Sequence, residues 1–266
     1  MRNRPIGVFD SGIGGLTVFR ELASALPYED IVYLGDTARV PYGIRSASTV
    51  IRYSFQNAQF LIKQRIKVLV VACNTVSAVS IEKLRDRFSI PVIGVIDPGA
   101  RAAARNSRGA RIGVIGTEAT IKSGAYQKIL SGLIHDVEIF ARPCPLFVPL
   151  VEEGWTKGRI AKAVVEEYLA PLRKQAVDTL VLGCTHYPLL KGMISRYMER
   201  GTVLIDSAVE TAKETKTLIK ENNLTRQQKN KGRKKFFVTD SPSRFREVGE
   251  RFLGEPIDDI TLVDII

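Results

Sequence analysis

The sequence predicts two similar parallel-sheet α/β domains related by pseudo-symmetry, and three observations support this fold class. Short apolar runs rich in Val and Ile alternate with helix-length amphipathic stretches, which is typical of strands joined by crossover helices. The length of 266 residues suits nearly two compact domains of about 150 residues each. Three segments also recur in the same order: residues 6–11, 68–75 and 95–97 resemble residues 112–117, 179–186 and 204–206, respectively. A duplicated α/β unit accounts for all three echoes.

Each strand is predicted from an apolar run of three to five residues that is bounded by polar, Gly or Pro residues. These runs lie at residues 6–9, 31–34, 68–72, 92–95, 112–115, 137–140, 179–182, 203–205 and 236–238. Helices are predicted where apolar residues recur every three or four positions. They begin after Gly15, near Ala47, after Val76, after Ser123, after Gly158 and after Leu189, and one more lies near 243–252.

The repeat also predicts where the domains begin and end. The first copy of the repeat ends at Asp97 and the second copy ends at Asp206, so we expect one domain over residues 98–206. The first domain then comprises residues 1–97 together with 207–266, because the last strand and helix are expected to pack back on it. In such a fold, ligands bind beyond the carboxyl ends of the strands. We therefore expect the active site in the cleft between the two domains.

Composition excludes several other classes of protein. The chain is 45% hydrophobic and 25% charged, with a mean hydropathy of +0.01, which is average for an ordered globular protein. Its longest apolar runs fall far short of the roughly 18 residues that span a bilayer, and no secretory signal is recognised at the N-terminus. Three cysteines without a C-x-x-C pair predict neither a disulfide framework nor a zinc knuckle. We expect a cytoplasmic protein with reduced thiols.

The formal net charge is +11, and Lys229–Lys235 is a strongly basic segment. A basic cluster can attract nucleic acid. However, neither interleaved aromatic residues nor a recognised binding motif accompanies this one. We expect a solvated loop and no nucleic-acid partner, although a non-enzymatic basic nucleic-acid-binding module stays an alternative.

Two cysteines provide the strongest indication of chemistry. Cys73 and Cys184 occupy equivalent places in the repeat, and each ends an apolar strand and precedes small polar residues. A single buried cysteine is most often a small hydrophobe. Two cysteines at equivalent strand ends can instead approach one ligand from opposite sides of a cleft. Inverting a stereocentre by proton transfer requires such a pair of groups, and a thiol needs only modest tuning to titrate near neutral pH.

Other polar residues near these strand ends are candidates to assist the thiols. His186 lies two residues after Cys184, and Asp10 ends the strand expected beside that of Cys73. Glu152 and Glu153 lie on a loop from which one of them could reach the cleft. Cys144 lies between two prolines and is expected to be structural.

Several motifs jointly resemble the glutamate racemases of bacteria, over residues 5–207. They are FDSGIGG at 9–15, PYG at 41–43, ACNT at 72–75, VIGT at 114–117, PLVE at 149–152 and GCTHYP at 183–188. The resemblance implies cofactor-independent interconversion of L- and D-glutamate, which supplies D-glutamate for peptidoglycan. It also implies a catalytic set of Cys73, Cys184, Asp10, Glu152 and His186, in which Cys73 acts on D-glutamate and Cys184 on L-glutamate. The implied substrate-binding residues are Asp10, Ser11, Tyr42, Gly43, Asn74, Thr75, Thr117, Thr120, Thr185 and His186.

Alternatives to this function stay open. Aspartate racemase has a similar fold and paired cysteines, and a cysteine hydrolase could use Cys184 with His186. A metal site built from Cys73, Cys184, His186 and Asp10 is conceivable, but we expect neither a metal nor a cofactor. The expected partner is glutamate itself, with no membrane association and with a homodimer left open.

Overall fold

The computed structural model describes residues 1–198, 201–228 and 230–265. In this part of the chain, the strands are β1 Ile6–Asp10, β2 Ile31–Gly35, β3 Val68–Val71, β4 Val92–Gly94, β5 Arg111–Gly116, β6 Glu138–Pro143, β7 Thr179–Gly183, β8 Val203–Asp206, β9 Lys234–Val238 and β10 Ile260–Leu262. All nine predicted strands are present. The tenth, β10, was not predicted.

The α-helices of the described residues alternate with these strands. They are α1 Leu16–Ala25, α2 Ala47–Lys63, α3 Asn74–Arg87, α4 Ile96–Asn106, α5 Glu118–Lys122, α6 Ala125–Leu133, α7 Phe147–Glu152, α8 Gly158–Lys174, α9 Lys191–Met198, α10 Ser207–Glu221 and α11 Pro242–Leu253. Two short 3₁₀ helices lie at Tyr42–Ile44 and Tyr187–Leu190. They follow β2 and β7 in the chain.

The strands form two sheets in which every pairing is parallel. One sheet has the order β10-β9-β2-β1-β3-β4, and the other has the order β6-β5-β7-β8. The order β2-β1-β3-β4 of the first sheet is repeated as β6-β5-β7-β8 in the second. The prediction of two similar parallel-sheet units is therefore confirmed. β1, β2, β3 and β7 are buried along their whole length, as expected for strands with helices packed on both faces.

The C-terminal segment returns to the first sheet. β9 pairs with β2, and β10 pairs with β9 at the edge. Its helix α11 places Phe245 beside Tyr33 of β2, with ring centroids 5.9 Å apart. This arrangement is the one expected for residues after 207, whereas the exact boundaries after Asp97 and Asp206 stay a prediction.

Five helices differ from the prediction. α5 and α7 were not predicted, and Glu152, which was expected on a loop, is the last residue of α7. α3 begins at Asn74 rather than after Val76, because the chain is already extended at Cys73 and turns directly into the helix. α4 was not predicted; its Pro98 and Gly99 lie in the first turn, where proline is tolerated. α10 was not predicted either. Asp206 caps this helix by accepting a hydrogen bond from the backbone N–H of Ala208 at 3.0 Å.

Part of the basic segment is paired within the protein. Arg233 contacts the carboxylate of Asp30, as does Arg226, which precedes the segment, and Lys234 forms an ion pair with Glu255. Lys229 lies outside the described residues. These contacts favour a structural role for the segment over a nucleic-acid surface. None of the helices in the described ranges is long and apolar enough to cross a membrane.

Candidate active site

A cavity of about 390 Å³ lies where the carboxyl ends of the two sheets meet. Loops that follow β1, β2 and β3 line it from the first sheet, and loops that follow β5, β6 and β7 line it from the second. The lining residues are Ser11, Val40, Pro41, Tyr42, Gly43, Ile44, Cys73, Asn74, Thr75, Thr117, Glu118, Pro145, Val148, Pro149, Glu152, Cys184, Thr185 and His186. The duplicated architecture therefore brings equivalent strand ends to one cavity.

Cys73 borders the cavity from the first sheet. It follows β3 and takes the cap position of α3, and it is only 6% exposed. Its thiol donates a hydrogen bond to the hydroxyl of Ser11 over 3.7 Å. Burial and then the negative charge of Asp10 raise the pKa of Cys73 to about 12. At neutral pH this group is a protonated thiol, which can donate a proton.

Cys184 borders the same cavity from the second sheet, at the head of a chain of polar groups. Its Sγ lies 3.8 Å from Nδ1 of His186, and Nε2 of that ring lies 3.0 Å from Oε1 of Glu152. Burial opposes the charged imidazole, but hydrogen bonds to Cys184 and Glu152 outweigh it and raise the pKa of His186 to about 10. Burial likewise opposes ionisation of Glu152, yet the hydrogen bond and charge of His186 lower its pKa. Thiol, imidazole and carboxylate are thus electrostatically coupled.

Asp10 lies beneath the cavity rather than on its wall. It is 1% exposed, and its Oδ2 accepts a hydrogen bond from the backbone N–H of Gly12 at 2.9 Å. The other oxygen, Oδ1, has no hydrogen-bond partner among the described residues. Burial raises the pKa of Asp10, although the charge of His186 and backbone N–H groups work against it. Its negative charge acts on both Cys73 and His186, so it faces both thiol-bearing loops.

Hydroxyl groups cluster on one side of the cavity. Oγ1 of Thr117 lies 3.0 Å from those of both Thr75 and Thr120, and Thr120 itself is buried behind the lining. The amide of Asn74 accepts a hydrogen bond from the hydroxyl of Tyr126 at 2.8 Å. Asn74 and Thr75 open α3, where the first N–H groups have no partner within the helix. This side can bind an anion with neutral donors.

Tyr42 lines the cavity, but its hydroxyl points away from it. The hydroxyl donates a hydrogen bond to the fully buried carboxylate of Asp36 and also contacts Asn57 at 3.2 Å. Burial and the charge of Asp36 raise the pKa of Tyr42. Asp36 therefore anchors the 3₁₀ helix that carries Tyr42 and Gly43. Its anchoring role was missed because a carboxylate after a strand does not indicate which side chain it binds.

Asp10 lies beneath the cavity and Thr120 lies behind its lining. Every other predicted site residue lines the cavity. Cys144 is fully buried and does not line the cavity, in agreement with its predicted structural role. Apolar lining residues such as Val40, Ile44 and Val148 were not predicted, although each lies within a few positions of a predicted motif. The described residues include no group of three or more His, Cys, Asp or Glu side chains arranged to hold a metal ion.

Comparison with known proteins assigns the family. Residues 6–215 match the model of the Asp/Glu/Hydantoin racemases. The chain belongs to this family. It is 52% identical to a glutamate racemase of Geobacter metallireducens, over 98% of this chain and 97% of that protein. It is 46% identical to a glutamate racemase of Neisseria meningitidis, over 99% of this chain and 98% of the relative.

Solved structures of glutamate racemases share the fold of this family member. The enzyme of Francisella tularensis, determined in complex with D-glutamate, has a TM-score of 0.93 and 41% identity, covering 100% of this chain and 99% of that one. An aspartate racemase of Picrophilus torridus has a TM-score of 0.57 and 18% identity, covering 82% and 94%, so it shares the fold alone. The resemblance and the racemase class, an isomerase, are confirmed.

Proposed function

We propose that this chain interconverts L- and D-glutamate by proton transfer at the α-carbon, without a cofactor, and supplies D-glutamate for peptidoglycan in the cytoplasm. The main support is one observation: two thiols, Cys73 and Cys184, border one cavity from two equivalent strand ends. Full-length similarity to glutamate racemases supports glutamate as the substrate. The fold-level likeness to aspartate racemases makes aspartate the weaker alternative.

The proposed mechanism uses the thiols in turn. With L-glutamate, the thiolate of Cys184 removes the α-proton, and the C–H electron pair passes into the adjacent carboxylate. The thiol of Cys73 then donates its proton to the opposite face, which gives D-glutamate and leaves Cys73 as the thiolate. The reverse reaction exchanges these roles, since D-glutamate presents its α-proton to Cys73. Each turnover therefore transfers one proton to one thiol and takes one from the other.

Neighbouring polar groups contact each thiol in this mechanism. His186 is within 3.8 Å of Cys184, and Glu152 supports the charged imidazole. Asp10 disfavours the thiolate of Cys73, while Ser11 accepts its hydrogen bond. The free protein is thus expected to hold Cys73 protonated. This state is suited to bind L-glutamate and to protonate its carbanion.

Substrate binding is expected to divide between charged and neutral groups. The opening N–H groups of α3, with the hydroxyls of Thr117 and Thr185, are suited to a carboxylate of glutamate. Asn74, Thr75 and the backbone around Tyr42 and Gly43 complete this side, and Thr120 supports it from behind. The ammonium group is expected nearest the carboxylates of Asp10 and Glu152.

A homodimer stays a prediction that sedimentation analysis can test.

The function is tested by incubating the protein with L-glutamate in D₂O, without added cofactor. We expect optical rotation to decay to zero while solvent deuterium appears at the α-carbon of the D-glutamate formed. L-Aspartate under identical conditions serves as the matched control and is expected to react far more slowly. Faster turnover of aspartate would replace the proposed substrate, and a stable acyl-enzyme at Cys184 would favour a hydrolase.

Gly14 is expected to be essential to the geometry of the cavity. A Cβ at this position would lie 2.4 Å from both Cε1 of His186 and Oγ1 of Thr185, which are side chains of the second unit. We therefore expect Gly14→Ala to displace His186 and to lower kcat/KM by about a hundredfold, the effect of roughly 1 Å of misplacement. Gly132→Ala is the matched control, because nothing lies within 4 Å of the added Cβ. Equal rates for the two variants would contradict this account.

A further inference from the structure

Helix α11 reaches from the first sheet to the catalytic elements of the second. Its buried side packs on the first sheet, where Phe245 contacts Tyr33 and Phe236. Arg244 and Arg251 are seven residues apart, which places them on one face of the helix, separated by two turns. Both guanidinium groups contact the end of α7, the helix that carries Glu152.

Arg251 makes the shortest of these contacts. Its Nη2 donates a hydrogen bond of 2.7 Å to the backbone carbonyl oxygen of Glu152, where α7 ends. The chain then turns through Gly154, whose φ is +76°. A Cβ at Gly154 would lie 2.7 Å from Nη1 of Arg251. The turn therefore leaves room for the guanidinium, and any other residue at this position would be strained as well as crowded.

Two more side chains of α11 contact this region of the second unit. Nη2 of Arg244 lies 3.5 Å from a carboxylate oxygen of Glu153 and 4.0 Å from Oε2 of Glu152. The ring of Phe252 meets the ring of His186 edge to face, with centroids 5.3 Å apart. Helix α11 thus contacts both members of the Glu152–His186 pair, although neither belongs to its own sheet.

We propose that Arg251 is a positioning residue for proton transfer at Cys184. By holding the carbonyl of Glu152, it keeps the carboxylate of that residue against His186, and His186 against the thiol. The proposal rests on the proposed function, since it concerns the thiol that reacts with L-glutamate. Substitution of an exposed surface side chain usually changes stability little. The placement of a proton-transfer group, by contrast, strongly affects the rate.

The test compares Arg251→Met with Arg246→Met. Arg246 lies on the same helix and also donates to a backbone carbonyl, that of Ile257 at 3.0 Å, but neither of these residues lines the cavity. We expect Arg251→Met to lower kcat/KM by about tenfold and Arg246→Met to leave it unchanged. The fall must be equal for both enantiomers, because the equilibrium constant of a racemisation is fixed at one. Arg251→Lys keeps the charge and one donor, so partial recovery is expected.

Primary deuterium isotope effects separate positioning from general damage. Slower transfer at Cys184 raises the isotope effect with 2-deutero-L-glutamate, because that thiol removes the label. It lowers the effect with 2-deutero-D-glutamate, because removal of that label by Cys73 becomes less rate-limiting. Unchanged isotope effects, or equal rates for the two Met variants, would overturn the proposal.

Two controls keep the outcome interpretable. If Arg251→Met does not fold, as judged by its circular dichroism, Arg251→Lys is compared with Arg246→Met instead. The fall in kcat/KM is then expected to be smaller but in the same direction. A wild-type protein that racemises glutamate, with a Met variant indistinguishable from the Arg246 control, would refute only the role of Arg251. A wild-type protein without racemase activity would refute the proposed function and this role together.

Discussion

Replacing either Cys73 or Cys184 by Ala is expected to stop racemisation while leaving the fold intact. Each thiol is the group that delivers or removes a proton on one face of the α-carbon in the proposed mechanism, and the remaining thiol serves the other face. General acid–base groups contribute about 10²–10⁴-fold each. We expect kcat to fall by at least about a thousandfold in each variant, as measured by polarimetry.

The third cysteine provides the matched control for this prediction. Cys144 is a free, buried thiol like the other two, but it does not line the cavity. Cys144→Ala is therefore expected to racemise glutamate at nearly the wild-type rate and to lose some stability through the small cavity it leaves. Racemisation at an undiminished rate by Cys73→Ala or Cys184→Ala would refute the two-thiol mechanism.

Sequence patterns predicted the sheets well because strand identity is encoded locally. The run at 68–72 is apolar without interruption, as a strand buried on both faces must be, and β3 lies there. The long-range repeat added information that no single segment contains. It placed Cys73 and Cys184 at equivalent strand ends, from which a shared cleft follows once the two units face each other.

The parts that sequence analysis missed depend on contacts between distant residues. Helix α10 has a mixed, strongly charged composition, and its partners α1 and α4 lie more than 100 residues earlier in the chain. The anchoring of Tyr42 by Asp36 and the contact of Arg251 with Glu152 are tertiary contacts of the same kind. A charged residue on a predicted amphipathic helix is normally read as solvated, and only the folded structure reveals its partner.

The largest expected loss of stability comes from a buried lysine. Lys67 immediately precedes β3 and is fully buried. Its ammonium group donates to the carboxylate of Glu29 and, over 2.8 Å each, to the backbone carbonyl oxygens of Arg2 and Leu224. Three segments that are far apart in the sequence thus meet at one charge. The sequence does not indicate this site, because lysine is almost never fully buried unless paired.

Lys67→Met is expected to lower the free energy of unfolding by about 3–5 kcal/mol, because it leaves the Glu29 carboxylate and two carbonyls without their donor. Urea unfolding followed by circular dichroism measures the loss. Lys83→Met, an exposed substitution on α3, is the control and is expected to change stability by less than about 0.5 kcal/mol.

A second substitution identifies the source of the loss. Breaking a buried ion pair is costly mainly because the surviving charge has no compensating partner. Adding Glu29→Gln to Lys67→Met removes that charge. The Gln side chain keeps an oxygen that can still accept from the backbone N–H of Arg226, which donates to Glu29 at 2.9 Å in the unsubstituted protein. We therefore expect the double variant to be more stable than Lys67→Met alone. A double variant that is less stable would show that lost packing, rather than the unpaired carboxylate, dominates at this site.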